Sequence, residues 1–530
     1  MPAPTIDDAK RVAREIFGHE SLLPGQEEAI GAILDGHDVL LVSATGSGKS
    51  LTYQVPGVLI DGLTVLVSPL LALQQDQLGA LPQDVLTRGA RLSSAESDAE
   101  RERVLERAER DELEYLAVSP EQLANDQVRA RVAALRPSLV AVDEAHCVST
   151  WGHDFRPDYL RLGRLIADLG QPRVVALTAT AAAPVRDDIV ERLALRDPRV
   201  VVAGFGRDNL SLTVTRCVDR DDQGQRVLDA VAGSDGVGLV YCRTRKSAEG
   251  YAERVAALGR RTAVYHAGLS RRTRRDTHDA FSRGDLDVVV ATSAFGMGID
   301  KADVRYVLHA EVPESPDTYY QEVGRAGRDG RPAYGVLFYR PEDHALGRFF
   351  SGGVPDVDDV ARVLAAAQGE TDPNRADLAR RTGLGTRRVG RIVNLWTDVL
   401  RAPSVPGSLE EAAEAVVHRA EAQKKLEVSR VEMMRAYAES EQCRMAFLLS
   451  YFGEHVDALC GRCDRCLAGT AHLPPESSPF DVGREVEHRE FGPGSVVALD
   501  DGTVTVLFDN VGYRTLDAGL VQERGLLLER

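Results

Sequence analysis

The chain is poor in aromatic residues, which make up 5% of its 530 positions, and it has two tryptophans, five methionines and seven cysteines. So few cysteines at this length exclude a disulfide-built scaffold. No stretch approaches the roughly 20 consecutive apolar residues of a membrane-spanning helix, and the opening MPAPTIDDAK lacks the basic start and apolar run of an export signal. These absences lead us to expect a cytoplasmic protein without a membrane partner. Positive charge is also scarce: 64 Lys and Arg against 81 Asp and Glu give a formal charge of −17. That excludes a uniformly basic nucleic-acid coat but leaves a local groove open. General disorder is excluded as well, because 43% apolar residues suffice for several cores. By length, about three to five domains are expected.

The run DVLLV (38–42) has the pattern of a buried strand, and Ser43-Ala44-Thr45-Gly46-Ser47-Gly48-Lys49-Ser50 follows it directly. This reads as a phosphate-binding loop opening a helix. Gly46 and Gly48 let backbone N–H groups approach phosphate, Lys49 can reach the β and γ oxygens, and Ser50 can ligate Mg²⁺. Ser43 stands where the general motif has its first glycine. A second apolar run, SLVAV (138–142), ends at Asp143-Glu144-Ala145-His146, at the carboxyl end of a sheet strand where ligands of α/β sheets bind. Asp143 is suited to hold Mg²⁺ through water, and Glu144 to orient and deprotonate the attacking water. Alone, Asp-Glu at a strand end could be a helix cap; paired with GSGKS it indicates a nucleoside triphosphatase.

Further strand-like runs precede Ser68-Pro69-Leu70, Ser119-Pro120-Glu121 and Thr178-Ala179-Thr180, the alternation expected of a parallel sheet with helical crossovers. The pattern restarts after Arg207-Asp208-Asn209-Leu210 with GLVYC (238–242), TAVYH (262–266), LDVVVAT (286–292) and VRYVLH (304–309). The expected fold class is therefore α/β, with two RecA-like parallel-sheet lobes at 1–206 and 207–350. Near the end of the second, Arg325 and Arg328 lie three apart; alone they would read as a solvated face, but beside GSGKS and DEAH they read as arginine fingers for a γ-phosphate.

These residues resemble superfamily 2 helicases, and specifically the RecQ DNA helicases. The discriminating tract is DEAHCVSTWGHDFRPDY (143–159), joined by FGHESLLPGQEEAI (17–30), SPLLALQQDQ (68–77), YHAGL (265–269), ATSAFGMGIDKADVR (291–305) and YYQEVGRAGRDG (319–330). The resemblance implies an ATP-dependent helicase that translocates 3′ to 5′ on single-stranded DNA and unwinds duplex or forked DNA in recombination and repair, at the nucleoid. It implies that Gln26 reads adenine and that Thr45, Gly46, Ser47, Gly48, Lys49, Ser50 and Asp300 bind MgATP. Trp151, Phe155 and Arg156 would contact single-stranded DNA, with aromatic faces stacking on any base. Backbone groups near Ser68 and Pro69 would hold DNA phosphates. Two other readings stay open: an ATP-switched DNA-binding or recruitment protein without processive unwinding, and an RNA helicase. Family members typically carry Phe-Arg before Pro-Gly-Gln, whereas this chain has Leu22-Leu23, so a looser preference for ATP is expected.

Cys460, Cys463 and Cys466 form one CxxCxxC loop, with Cys443 17 positions earlier in an apolar helical stretch. Four thiolates suit a closed tetrahedral Zn²⁺ site. CRMAFLLSYFGE followed by CGRCDRC also resembles the RecQ zinc-binding subdomain, expected here at 417–468. RecQ proteins usually place a winged helix after that subdomain, but only 64 residues follow Cys466. Instead, 354–416 is additional. Within it, NRADLARRTGLGTRRVGRIVNLW (374–396) reads as helix, turn, helix with six arginines against one aspartate. It reads either as a DNA-contacting helix-turn-helix or as a structural spacer. After a linker at 469–481, residues 482–530 are expected to form strands over 486–491, 495–499, 503–508 and 513–516, with a turn at Gly492-Pro493-Gly494. This segment suggests a small SH3-like barrel and resembles the Tudor-like barrel of UvrD-type helicases. Residues 467–530 carry five basic and eleven acidic side chains, which favours a protein partner, RNA polymerase or a repair factor, over DNA.

Overall fold

Four-residue apolar runs buried along their whole length build the first sheet, as expected where helices cover both faces of parallel strands. The computed structural model describes residues 3–529 apart from 45, 70, 80, 94–95, 150–158, 160, 297–298, 300, 343–352, 368–373, 401–405, 455, 474–479, 481–482, 501 and 510. Its first sheet contains β1 (Val39–Val42), β2 (Thr64–Val67), β3 (Gly89–Leu92), β4 (Tyr115–Val118), β5 (Leu139–Val142), β6 (Arg173–Thr178) and β7 (Arg199–Val202) in the order β3-β4-β2-β5-β6-β1-β7. All its pairings are parallel. The carboxyl ends of β1 and β5 thus lie on either side of β6, which brings the phosphate-loop sequence and Asp143 to one edge. Val67 pairs with both Val118 and Val142, so Ser68 and Ser119 also reach that edge.

The second sheet holds β8 (Leu210–Arg216), β9 (Val237–Tyr241), β10 (Thr262–Tyr265), β11 (Val288–Ala291), β12 (Val304–His309) and β13 (Ala333–Tyr339), ordered β10-β11-β9-β12-β13-β8 and again wholly parallel. Strands β3, β7, β8 and β13 were not anticipated. The edge strands β3 (GARL) and β8 (LSLTVTR) carry glycine, arginine or alternating polar residues, whereas β7 (RVVV) and β13 (AYGVLFY) are apolar runs that went unread.

The described chain forms two units, Met1–Arg340 with Tyr437–Glu476, and Pro341–Ala436 with Ser477–Arg530. In the second unit, helices Val357–Ala367, Arg375–Thr382 and Thr386–Val399 pack with the start of Leu409–Glu439 around Val360, Val363, Leu378, Val389, Ile392 and Val416. Gly383, at φ +72, ends the middle helix in a left-handed turn that favours glycine. The division expected at 416/417 falls inside the continuous helix Leu409–Glu439.

The same unit ends in an antiparallel sheet of β14 (Glu485–His488), β15 (Gly492–Asp500), β16 (Thr503–Phe508), β17 (Gly512–Asp517) and β18 (Leu527–Glu529), ordered β17-β16-β15-β14-β18. Gly492, Pro493 and Gly494, expected as a turn, instead pair with β14 as part of β15. A Cβ on Gly494 would lie 2.6 Å from the Leu507 carbonyl oxygen, so close strand approach rather than turning selects this glycine. The short strand β18 was not anticipated: two of its three residues are exposed. Among the described residues, no helix is long and apolar enough to cross a membrane.

Candidate nucleotide and zinc sites

A cavity of about 410 Å³ opens at the carboxyl edge of the first sheet. Leu23, Gln26, Ser43, Gly46, Ser47 and Lys49 line it from the first lobe, and Arg207, Asn209, Gly327 and Arg328 from the second. Gly46 and Gly48 adopt positive φ of +83 and +70, as a chain presenting successive N–H groups to an anion requires. The Lys49 ammonium donates to the carbonyls of Ser43 at 2.8 Å and Ala44 at 3.0 Å. Burial lowers its pKa to about 8, opposed by the negative charges of Glu144 and Asp143.

The Asp143 carboxylate accepts a hydrogen bond from the Gln77 side chain and another from the Glu144 N–H at 2.9 Å. Burial pushes its pKa up, opposed by Lys49. Glu144 itself is held in the left-handed region at φ 49, ψ 47, a conformation that typically costs a non-glycine residue ~1–2 kcal/mol. Its carboxylate lies 3.4 Å from His146 Nδ1, which is 3.0 Å from Thr178 Oγ1. Asp143, Glu144 and Arg328 thus all lie close enough to act on the Lys49 ammonium, which lines the cavity with Ser47 and Arg328. With Ser50 beside them, this oxygen-rich donor set suits Mg²⁺ bound with phosphate, and the lysine, arginine and backbone N–H groups suit the phosphate itself.

The two arginines have different settings. Arg328 lines the cavity, and its Cγ lies 3.3 Å from where a Cβ on Gly46 would be. Arg325 is buried in the second lobe beside Gly296 and Tyr241 and is absent from the cavity lining. Gln26 donates to the carbonyls of Ser47 at 2.8 Å and Gly48 at 3.0 Å, and accepts from the Leu23 N–H at 2.9 Å, so its amide here latches the phosphate loop. Thr45, Asp300, Trp151, Phe155 and Arg156 lie outside the described residues. Ser68 and Pro69 stand at the same sheet edge, and the Ser68 carbonyl accepts from Gln74 at 3.0 Å.

Several contributors escaped sequence reasoning. Gln77 orients Asp143, and the helix Leu71–Gly79 that carries it also ties Gln74 to Ser68. Both glutamines are buried, which the sequence alone does not show. Tyr159, at the end of the aromatic tract, donates to the Asp143 carbonyl at 3.4 Å. Arg207 donates to the carbonyls of Gly324, Ala326 and Gly327, and Asn209 to Gly327 and Arg331, so this pair holds the loop that carries Arg328. At the sequence level they marked only a lobe boundary.

The four expected zinc ligands converge, with the Sγ atoms of Cys443, Cys460, Cys463 and Cys466 all within 4.8 Å of one another. Cys460 Sγ and Cys466 Sγ are 3.8 Å apart, close to the edge of a tetrahedron with metal–sulfur bonds of ~2.3 Å. The N–H groups of Cys460 and Cys466 donate to the sulfurs of Cys443 and Cys463, each at 3.4 Å, which steadies thiolate charge. Arg444, 2% exposed, grips Asp464 through Nε at 2.9 Å and Nη2 at 3.1 Å, so a buried ion pair clips together the two segments that supply the sulfurs. Asp464 also accepts from the Val214 N–H, and Ser211 donates to the Arg462 carbonyl, which seats the cysteine loop on β8.

Two parallel-sheet lobes with a phosphate loop and an arginine lining one cavity, and the DEAH carboxylates beside the loop's lysine, define a superfamily 2 helicase motor. Family models agree by segment: DEAD/DEAH box helicase matches residues 23–188, helicase conserved C-terminal domain 224–330, and RecQ zinc-binding 407–467. The chain is 35% identical over 499 residues to the probable ATP-dependent DNA helicase RecS of Bacillus subtilis, covering 92% of this chain and 98% of that protein. It is 35% identical over 459 residues to the ATP-dependent DNA helicase RecQ of Haemophilus influenzae, covering 87% of this chain and 63% of that protein, so it spans under two thirds of that relative. The chain belongs to the RecQ family. Solved structures share the fold: the DUF1998 helicase MrfA bound to DNA matches with a TM-score of 0.54 and 19% identity, covering 65% of this chain and 50% of that one. The Mycobacterium smegmatis helicase Lhr, bound to single-stranded DNA and AMP-PNP, matches with 0.51 and 23%, covering 72% and 56%.

Proposed function

We propose that this chain is an ATP-dependent DNA helicase that translocates 3′ to 5′ on single-stranded DNA and unwinds duplex DNA in recombination and repair, in the cytoplasm at the nucleoid. The observation that carries this reading is the cavity in which Lys49 of one lobe faces Arg328 of the other. Relatives named as DNA helicases support DNA as the track.

Bound MgATP supplies the phosphoryl transfer to water. Lys49 and the glycine-rich loop would hold the phosphates, while Ser50 and the Gln77-oriented Asp143 would hold the metal. Glu144, fixed by its left-handed backbone, orients the water and takes its proton, with His146 beside it to share the charge. Arg328 neutralises developing γ-phosphate charge only when the lobes are together, so chemistry is tied to lobe position. Thr45 and Asp300 complete the nucleotide site, which Arg325, outside the cavity lining here, joins only on lobe closure. Zn²⁺ supplies a closed structural cross-link at the four cysteines. The aromatic tract with Trp151, Phe155 and Arg156 grips single-stranded DNA. Tyr159 and Gln77 both end on Asp143, giving the DNA side two routes to the ATP site.

Lys49→Ala is expected to cut ATP turnover to below about one hundredth, while Trp151→Ala keeps basal turnover and loses stimulation by single-stranded DNA. Equal loss of basal turnover in both variants would make the tract structural; stronger activation by RNA than by DNA would point to an RNA helicase.

The helices Arg375–Thr382 and Thr386–Val399 form a second DNA contact through Arg387 and Arg391, which have no ion pair among the described residues, unlike Arg380, Arg381 and Arg388. Replacing both with alanine should lower the slope of log affinity against log salt on duplex DNA by about 2. An unchanged slope would leave these helices as a spacer. The acidic C-terminal sheet is assigned a protein partner, RNA polymerase or a repair factor, and a pull-down unaffected by deleting 482–530 would remove that assignment.

A further inference from the structure

Residues 203–209 join β7 of the first lobe to β8 of the second, and Ala203, Gly204, Gly206, Arg207 and Asn209 line the nucleotide cavity. Phe205, within this segment, points away from that lining and is fully buried. Its ring lies parallel to that of Phe452, with centroids 5.0 Å apart and an interplanar angle of 5°. Its N–H donates to Glu454 at 3.2 Å, and its carbonyl accepts from the Tyr320 hydroxyl at 2.5 Å. The ring's partner, Phe452, and the N–H's partner, Glu454, both follow the helix Arg444–Tyr451, which is capped by the zinc ligand Cys443.

The same short segment touches both lobes. The Phe452 carbonyl accepts from Arg186 at 3.3 Å, on the first-lobe helix Ala183–Arg192. Tyr451 donates to Asp317 at 2.6 Å, on the second-lobe helix Pro316–Val323, and the Tyr320 ring packs on Phe452 at 5.1 Å. Gly453 turns the chain at φ +78, a left-handed conformation that favours glycine. Residues 451–454 therefore meet lobe one, lobe two and their connection at one point.

We propose that Phe452 and Glu454 are positioning residues for ATP hydrolysis: the end of the zinc-module helix clamps the interlobe hinge at Phe205 and so sets the separation of Lys49 from Arg328. Changing the angle between lobes requires rotation of the 203–209 backbone. At Phe205 both backbone polar groups and the ring are held, so rotation there must break a buried stack or strand a buried N–H. Arg207, two residues on, grips the carbonyls around Gly327, so displacement of the hinge carries to Arg328. DNA or protein that moves the zinc module would thereby act on the ATP site without touching it.

This rests on the ATP-hydrolysing reading, which the unsubstituted chain tests by itself through DNA-stimulated turnover; the hinge variants then test the clamp, read as KM for ATP and as affinity for a fluorescent ATP analogue. In the full chain carrying one zinc per molecule, Phe452→Leu and Glu454→Ala are each expected to raise KM and weaken analogue binding about three- to ten-fold, the equivalent of losing one stacked aromatic pair or one buried hydrogen bond, and to lower kcat by a similar factor because Arg328 acts on charge that develops in the transition state. Hydrogen exchange at the Phe205 amide should accelerate in Glu454→Ala, and Glu454→Gln, which keeps an acceptor oxygen, should restore both protection and KM. KM and analogue affinity equal to the parent in the zinc-replete variants would overturn the clamp. So would loss of zinc as the only consequence, or Glu454→Gln behaving like Glu454→Ala.

Discussion

Two segments that are neighbours in the sequence belong to different bodies: residues 437–476 fold with the two lobes, whereas 477–530 fold with the inserted helices. The zinc segment cannot close a core of its own. It spends Tyr437, Tyr451 and Phe452 on Tyr319, Asp317 and Phe205 of the lobes, and its buried Arg444 on Asp464 and nearby carbonyls. The terminal sheet has a core of its own, with Phe480, Val486, Val496, Val504, Val506 and Phe508 packed on one another, and meets the long helix at Gly512, beside Leu426 and Ser429. Position in the sequence is thus a poor guide to membership of the motor, and the sharing of buried side chains is a better one.

That contrast can be broken in three places. The largest effect is expected from the zinc cluster: Cys463→Ser or chelation should lower DNA-stimulated ATPase more than about tenfold and lower the melting temperature of the motor, because metal binding and local folding are one equilibrium. ATPase that survives complete zinc loss would return the module to the status of an appendage. An intermediate effect is expected from pH. Lys49 is charged in the free protein below pH 8 and increasingly neutral above it, since burial lowers its pKa to about 8. Phosphate binding above that pH must take up a proton, so KM for ATP should be flat below pH 8 and rise by up to about tenfold per unit above it. Deletion of 482–530 should leave this profile in place; a flat profile to pH 9.5 would show that Lys49 stays charged. The smallest effect is expected from that deletion itself, with DNA-stimulated turnover within about two-fold of the parent. A larger fall would tie the terminal sheet to the motor.

How much of this was legible in the sequence depends on what each residue had to satisfy. Strands buried on both faces, such as Val39–Val42 and Leu139–Val142, show as apolar runs, and the phosphate loop and DEAH announce themselves because their chemistry needs those residue types at fixed spacing. The four cysteines were equally visible, and the structure brings their sulfurs together. Edge strands such as Leu210–Arg216 were missed because one side of the ladder tolerates polar residues. Gln77, Arg207, Asn209 and Phe205 were missed for a different reason: each acts through a partner more than 60 positions away, on a backbone carbonyl, a carboxylate or a ring, and no local pattern encodes such a partner. The 31-residue helix Leu409–Glu439 hid behind a boundary drawn by resemblance rather than by periodicity.

The most direct measurement of the central claim is strand separation on forked DNA by the zinc-replete full chain, with 3′-tailed and 5′-tailed substrates compared and Lys49→Ala as control. ATP-dependent unwinding of the 3′-tailed fork is expected, absent with the 5′-tailed fork and with the variant. DNA-stimulated ATP hydrolysis without separation of either fork would contradict it and leave an ATP-switched DNA-binding protein.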